Sequence, residues 1–179
     1  ENNRLKSQVE RVLQIASLTP GELHLKEERI DMQTLIEKCV DTLSLMAQEK
    51  GGMIAFQSDG KSSFVKGDRV HLTNVIFNLM DNAIKYTMHQ PEISISLTHN
   101  DKWVMIEVED NGIGIDDKNK KMIFDKFFRV HTGNRHDVKG FGLGLYYVKL
   151  IIEAHKGTVN VKSTIGKGTT FTLKIPKVS

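Results

Sequence analysis

Residues 78–87 read NLMDNAIKYT, and this stretch decides how the rest of the chain is interpreted. On a helix that turns about 100° per residue, its polar side chains and those just before it fall within roughly 100° of arc, opposite an apolar side. These polar residues are His71, Asn74, Asn78, Asp81, Asn82 and Lys85. Asparagine is a poor helix former, so several on one face carry a cost without a local return. Carboxamide oxygens one turn apart can hold a hydrated divalent cation, with Lys85 reaching a phosphate. The competing interpretation is the ordinary polar face of an amphipathic helix.

Two glycine-rich segments follow this helix. Residues 110–115 read DNGIGI after an alternating strand, where the glycines let the backbone approach a flat ligand and Asp110 can accept a hydrogen bond from an exocyclic amine. Alone, this pattern is also common in turns. Residues 140–145 read GFGLGL at the start of a predicted helix, whose free N–H groups suit a phosphate. Leu145 rules out a dinucleotide fingerprint there, and Ala55 rules out a P-loop around residues 60–62.

Composition places the chain in the globular class. Its 179 residues, 39% of them hydrophobic, can bury one core but not three domains. A single cysteine, Cys39, excludes an internal disulfide and fits a reducing compartment. No apolar run approaches the roughly 20 residues of a membrane helix. The net charge of +3 is too small to imply nucleic acid. Residues 118–140 carry a basic excess that suits an anionic ligand, although a solvated surface is the simpler explanation.

The hydrophobic periodicity predicts an α+β domain. An amphipathic helix over residues 5–16, stopped by Thr19-Pro20-Gly21, needs a partner helix outside this chain. Strands are expected around residues 23–25, 53–57, 64–66, 93–97, 104–108, 158–163 and 169–175. Helices are expected over residues 31–48, 69–87 and 143–154, the first with Leu35, Cys39, Leu43 and Met46 on its apolar face and Asp31 as its cap. Helices between strands, together with several hairpins, predict a mixed sheet covered by helices.

The three segments, with FDKFFR at residues 124–129 between the second and third, closely resemble the catalytic and ATP-binding domain of sensor histidine kinases. They are similar to its N, G1, F and G2 boxes, within the superfamily of gyrase, a heat-shock chaperone and MutL. The resemblance covers residues 22–176, including GKGTTF at residues 166–171. Four ordered boxes are far more specific than any one of them. The resemblance implies a two-layer α/β sandwich of the Bergerat type, with a mixed, mostly antiparallel sheet covered on one face by helices.

The resemblance also implies roles for individual residues. Asn78 and Asn82 match the ligands of Mg²⁺, and Asn78, Lys85 and Arg129 match the catalytic residues at the ATP phosphates. Tyr86 matches the aromatic side chain against adenine, and Asp110 the acceptor from its amino group. The remaining nucleotide-binding positions are Gly112, Gly114, Ile115, Lys126, Gly140, Gly142, Leu143, Gly144 and Thr169, with the Thr169 hydroxyl near adenine. Residues 130–139 match the lid, and Phe141 departs from the Thr or Ser usual after the first glycine.

The same resemblance implies the organisation and partners of the protein. Residues 1–19 are expected to be the C-terminal end of a dimerisation helix, and residues 20–179 the catalytic domain. None of the seven histidines has the sequence context of a phosphoacceptor, so that histidine is expected on another segment. The expected partners are ATP, the dimerisation and phosphoacceptor domain, and the receiver domain of a response regulator. The parent protein is expected to be a membrane-anchored homodimer with this domain in the cytoplasm. This domain is expected to bind no nucleic acid.

Other functions share these motifs. A gyrase-like or chaperone-like ATPase carries a Glu in the N box to activate water, but here Asn78 occupies that position, and an amide cannot take a proton. A degenerate, non-catalytic nucleotide-binding scaffold is a further alternative, disfavoured because every motif residue is present. A serine-phosphorylating anti-sigma factor has the same boxes, and the helix before Pro20 favours the sensor kinase instead.

Overall fold

A five-stranded sheet forms the frame of the protein, in a computed structural model that describes residues 23–60, 63–130 and 141–178. Its strands are β2 (Met53–Ser58), β4 (Glu92–His99), β5 (Trp103–Asp110), β6 (Thr158–Thr164) and β7 (Gly168–Pro176), in the spatial order β2-β4-β5-β7-β6. The β2–β4 pair is parallel, and the three other pairs are antiparallel. The predicted mixed, mostly antiparallel sheet is therefore confirmed.

Three helices cover one face of this sheet: α1 (Met32–Glu49), α2 (Arg69–Lys85) and α3 (Gly144–Ala154). The strands alternate accordingly, because successive side chains point to opposite faces. On β4, Ile95 and Leu97 are fully buried under the helices, whereas Ser94 is exposed on the open face. The core therefore lies between the helices and one side of the sheet, as expected for a two-layer α+β domain.

A second, two-stranded ribbon joins β1 (Glu28–Asp31) to β3 (Phe64–Gly67) in antiparallel register. The strand predicted around residues 23–25 is wrong, since residues 23–27 have no regular structure. Within the described residues, regular pairing with β3 begins only at Glu28, in register with Gly67.

Helix boundaries follow the capping residues. The Asp31 side chain accepts from the backbone N–H of Gln33 at 3.0 Å and starts α1, as predicted. The predicted apolar face is correct except for Met46, which is 43% exposed; the buried position is Ala47. Asp68 caps α2 through the backbone N–H of His71 at 3.1 Å. The helix predicted over residues 5–16 lies outside the described residues. In the part of the chain that the structure describes, no helix has the length and apolar character to span a membrane.

Candidate functional site

The polar face of α2 meets the first turn of α3. The side-chain nitrogen of Asn78 donates to the carbonyl of Asn74 at 2.7 Å, which leaves its carboxamide oxygen facing α3. A Cβ built on Gly144 would lie 2.9 Å from that oxygen, so only glycine leaves the space open. Asn82 lies one turn later on the same face and is half-buried. The N box and the G2 box are therefore in direct contact.

This face of α2 carries oxygen donors of the kind that could hold Mg²⁺. Mg²⁺ prefers oxygen ligands and keeps several of its waters, and the carboxamides of Asn78 and Asn82 supply such oxygens one turn apart. Across the described segments, no group of three His, Cys, Asp or Glu side chains is placed to hold a metal. Two carboxamide oxygens are too few to enclose a cation. They therefore fit a cation that is also bound by phosphate groups of a ligand.

The G1 box packs under the end of α2. Tyr86 follows the helix directly, and its backbone carbonyl accepts from the N–H of Ile113 at 3.1 Å. Gly112 is buried in this corner, where a Cβ would lie 2.9 Å from the Tyr86 carbonyl oxygen and 2.7 Å from Asp110 Oδ1. Tyr86 as a whole is 39% exposed beside the loop. The two residues expected around adenine, Tyr86 and Asp110, are thereby brought to one place.

Asp110 ends β5 with its carboxyl largely removed from water. Burial raises the pKa of this carboxyl above its ordinary value, while hydrogen bonds from the backbone N–H groups of Gly112 and Thr169 act in the opposite direction. The bond from Gly112 measures 2.8 Å. A desolvated carboxylate held by backbone donors is a strong, fixed acceptor for a ligand N–H group.

Strand β7 lies beside the end of β5 that carries Asp110. Thr169 is buried directly opposite Asp110 in the β5–β7 pair. Its hydroxyl lies 2.9 Å from Ser163 Oγ, which also accepts from the backbone N–H of Ile115 at 2.8 Å. Gly114 has a φ of +71°, and a Cβ there would lie 2.1 Å from the Thr164 carbonyl oxygen. The β6–β7 turn therefore closes against the G1 loop.

The F box contacts the G2 box. The N–H of Phe127 donates to the carbonyl of Gly142 at 3.0 Å. Gly142 has a φ of +70°, and a Cβ there would lie 2.7 Å from the carbonyl carbon of Phe127 and 2.8 Å from the oxygen of Phe128. Leu143 is buried at the N-terminal cap of α3. This contact holds the start of α3 in place.

The cationic residues lie around these contacts at the surface. Lys85 forms an ion pair with Asp81 one turn earlier. Lys126 places its Nζ 4.8 Å from the centre of the Tyr146 ring. Arg129 is exposed. Gly140 and lid residues 131–139 lie outside the described residues. The contacts thus join the N, G1, F and G2 boxes on one side of the helices, with basic residues beside them.

A sequence model of histidine kinase-, DNA gyrase B-, and HSP90-like ATPases matches residues 67–179, a range that contains all four boxes. The chain belongs to this family. Within this ATPase family, sensor protein RprX of Bacteroides fragilis is 44% identical to the chain over 178 residues, or 98% of this chain and 34% of that protein. The chain thus spans about a third of the length of this curated relative.

Solved structures place the fold within the histidine kinase branch of the ATPase family. The catalytic domain of histidine kinase ThkA has a TM-score of 0.75 and 26% identity, covering 86% of this chain and 99% of that one. Full-length ShkA in complex with AMPPNP has a TM-score of 0.85 and 26% identity, covering 98% of this chain and 36% of that one. The chain is thus similar to histidine kinase catalytic domains over nearly all its described structure.

One residue of this candidate site was missed from sequence. Ser163 links the G1 loop to β7, yet it carries no motif of its own. It stands in phase with Val159 and Val161 on the helix side of β6. A polar residue at an apolar position of an alternating strand is the signal that could have found it.

Proposed function

We propose that this domain binds Mg-ATP and transfers the γ-phosphoryl group to a histidine on a separate dimerisation domain of the same protein. The observation that carries the proposal is the contact of Asn78 with the start of α3, about two helical turns before the corner where Tyr86 meets Asp110. The helix rises about 12 Å between residues 78 and 86. An elongated ligand with a base at one end and phosphates at the other matches this arrangement.

Each end of the site has its own task in this proposal. The ionised Asp110 carboxylate accepts from the adenine amino group, with the Tyr86 ring beside the base. Asn78 and Asn82 hold Mg²⁺ through their carboxamide oxygens, and bound Mg²⁺ would neutralise charge on the phosphates. The free N–H groups at the start of α3 suit the phosphate oxygens, and Gly142 and Gly144 leave room for them.

Lys85 and Arg129 are the catalytic cations of the proposal. Phosphoryl transfer depends mostly on positioning and on stabilising charge as it develops, rather than on covalent chemistry by the protein. The Lys85 ammonium group is paired with the Asp81 carboxylate, and a phosphate oxygen would take the place of that carboxylate. Lys126 adds positive charge beside them. The resemblance to histidine kinases also supports a homodimeric, membrane-anchored parent whose phosphoryl group passes to a response regulator receiver domain.

Hydrolysis is the second candidate, and Asn78 disfavours it. This residue stands where gyrase-like and chaperone-like relatives carry the Glu that activates water. Its amide is already committed as a donor to the Asn74 carbonyl and cannot take a proton. Transfer to a histidine therefore fits the site better than rapid release of phosphate.

The test is a thermal-shift comparison of two variants that remove the same charge from neighbouring positions of β5. Mg²⁺ with AMPPNP should raise the melting temperature of the protein by about 5 °C or more at saturation, because a ligand of the native state stabilises it by mass action. Asp110→Asn should lose most of this shift. Glu109→Gln should keep it, since Glu109 is exposed on the open face of the sheet. A full shift in Asp110→Asn, or none in the unmodified protein, would contradict the proposal.

A further inference from the structure

Three polar side chains form a row across the helix-covered face of the sheet. Asp110 on β5 pairs in register with Thr169 on β7, and Thr169 pairs in register with Ser163 on β6. Side chains directly opposite each other on antiparallel strands lie on the same face with their Cβ atoms about 5 Å apart. The row therefore connects the proposed adenine acceptor to a serine two strands away.

The hydrogen bonds of Ser163 leave one arrangement of protons. Its hydroxyl lies 2.8 Å from the carbonyl oxygen of Gly168, which can only accept, so the serine proton points there. The backbone N–H of Ile115 can only donate, and it occupies a lone pair of the same oxygen at 2.8 Å. The contact to Thr169 Oγ1 at 2.9 Å must then use the threonine proton. Ser163 Oγ thus donates once and accepts twice.

This arrangement fixes the character of Thr169. Because its proton is engaged by Ser163, its hydroxyl oxygen offers only lone pairs to anything else. The Asp110 carboxylate, ionised, also offers only lone pairs. Two neighbouring positions of the row are thus pure acceptors, which suits a ligand that presents an amino group and opposes one that presents a carbonyl oxygen.

We propose that Ser163 is a positioning residue that holds the Thr169 hydroxyl as an acceptor, and so favours a purine with an amino group over one with a carbonyl at the same place. This inference rests on the proposed function, since it concerns the base of the bound nucleotide. Through a bridging water the discrimination moves to the ring nitrogen N1. A water that donates to Thr169 has its second proton free for N1 of adenine, whereas N1 of hypoxanthine already carries a proton and cannot accept it.

A purine with a carbonyl group should bind more weakly at the same two side chains. A carbonyl oxygen placed against Asp110 and Thr169 would set one acceptor against another, and the hydrogen bonds lost with the displaced water would not be replaced. Without the Ser163 hydroxyl, Thr169 can rotate its proton toward the ligand and donate to such a carbonyl. Selectivity for the base should therefore depend on Ser163, although Ser163 acts only through Thr169.

The experiment compares binding of ADP and inosine diphosphate, which differ in the base and carry no transferable γ-phosphoryl group. Calorimetry on the whole chain gives the two dissociation constants and their ratio. In Ser163→Ala the preference for ADP should fall about fivefold to tenfold, the range of one hydrogen bond. Ser163→Thr, which keeps a hydroxyl, should retain the original ratio. Ser58→Ala is the matched control, since that serine bonds Gln33 at the other edge of the sheet.

The ratio separates positioning from a loss of stability. Both nucleotides bind the same native state, so a smaller folded fraction weakens both equally and leaves the ratio unchanged. In a Thr169→Val background, Ser163→Ala should change the ratio by less than about twofold, because its effect passes through Thr169. An unchanged ratio in Ser163→Ala with ADP still bound, or an equal change in both backgrounds, would overturn the inference alone. Failure of the unmodified protein to bind ADP would overturn the proposed function with it.

Discussion

At the scale of single residues, Asp110 is expected to make nucleotide binding depend on pH. Burial raises the pKa of its carboxyl above the ordinary 3.8. Because the folded pKa is the higher one, the carboxyl supports folding below about pH 3.8, and this contribution is lost as the pH rises through the folded pKa. At neutral pH the protein therefore holds a desolvated charge that opposes folding, which is typical of a residue kept for binding.

We expect nucleotide affinity to fall on acidification through this residue. Protonation converts one carboxylate oxygen of Asp110 from an acceptor into a donor, which removes the partner of the adenine amino group. Calorimetry with ADP between pH 7.5 and pH 4.5 should show a loss that includes the titration of the phosphates themselves. Asp110→Asn should bind about tenfold more weakly at pH 7.5 and lack the component that belongs to the carboxyl. Equal pH dependence in both proteins would show that Asp110 does not titrate with binding.

At the scale of elements, two glycines of one loop should respond differently to the same substitution. Gly142 has a φ of +70°, and a Cβ at this position would lie within 3.0 Å of backbone atoms of Phe127 and Phe128. Gly142→Ala should therefore cost roughly 1–2 kcal/mol and lower the melting temperature of the ligand-free protein by about 3 to 8 °C. Gly144→Ala meets the carboxamide of Asn78, a side chain, and should change stability by less than about 1 kcal/mol.

Gly144→Ala should instead affect nucleotide binding more than stability. Gly144→Ala pushes the Asn78 carboxamide away from α3, so the extra affinity that Mg²⁺ gives to nucleotide should fall while the melting temperature of the ligand-free protein holds. Removing the side chain in Asn78→Ala should make Gly144→Ala harmless to stability and without further effect on the Mg²⁺ dependence. The idea fails if Gly144→Ala leaves the Mg²⁺ dependence intact.

The elements with a clear period could be predicted from the sequence, and the contacts between them could not. The alternation of Ile93, Ile95 and Leu97 identified β4 because one face of the strand is buried. The same reasoning placed a strand at residues 23–25, which pair with no strand in the part of the chain that the structure describes. Strand formation depends on a neighbour that is distant in sequence, and a short alternation contains no information about that neighbour.

The site divides in the same way. The resemblance assigned Asp110 and Asn78, but the register that sets Thr169 between Asp110 and Ser163 appears only in the folded sheet. Ser163 was missed because its role arises from three hydrogen bonds, made with the G1 loop and with β7. Such a network is a property of the fold and not of a motif.

At the scale of the whole molecule, His155 connects the start of α2 to the end of α3, away from the proposed nucleotide site. Its Nε2 accepts from the backbone N–H of Asp68 at 2.9 Å, and its Nδ1 lies 2.7 Å from the carbonyl of Ile151, which can only accept. The ring is therefore neutral, with its proton on Nδ1. The Asp68 carboxylate accepts from the backbone N–H of Lys26 at 2.9 Å, so these hydrogen bonds also hold the segment that precedes β1.

Acid should destabilise the protein through the hydrogen bonds of His155. Burial lowers the pKa of His155 below its ordinary 6.5, so its contribution to stability is complete above pH 6.5 and is lost as the pH falls through the folded pKa. The melting temperature should therefore drop between pH 7.5 and pH 5, and His155→Gln should show a smaller drop from a lower starting value. The exposed His89 provides the control, since His89→Asn should keep the full drop. An identical drop in His155→Gln would assign the acid sensitivity to other groups.

Three of the five described histidines have ring nitrogens engaged in hydrogen bonds, which makes them poor phosphoryl acceptors. His155 is buried with both ring nitrogens engaged, and the Nδ1 of His71 lies 2.7 Å from the Tyr147 hydroxyl. The side chain of His99 is 10% exposed, with its Nδ1 3.2 Å from the Ser63 hydroxyl. His24 and His89 are exposed, and His131 and His136 lie outside the described residues. None of the seven has the sequence context of an acceptor.

The chain should therefore bind ATP yet fail to form stable phosphohistidine by itself. It should also hydrolyse ATP slowly, because the Asn78 amide cannot act as a base and Lys85 and Arg129 only stabilise charge. With labelled ATP, a separately purified dimerisation hairpin that carries an acceptor histidine should gain acid-labile, base-stable phosphate from this domain. Asn82→Ala should abolish that transfer, while Ser58→Ala should support it. Stable phosphohistidine on the chain alone would refute this account of its histidines. Rapid turnover without any acceptor would instead indicate an ATPase, since water would then be the group that receives the phosphoryl.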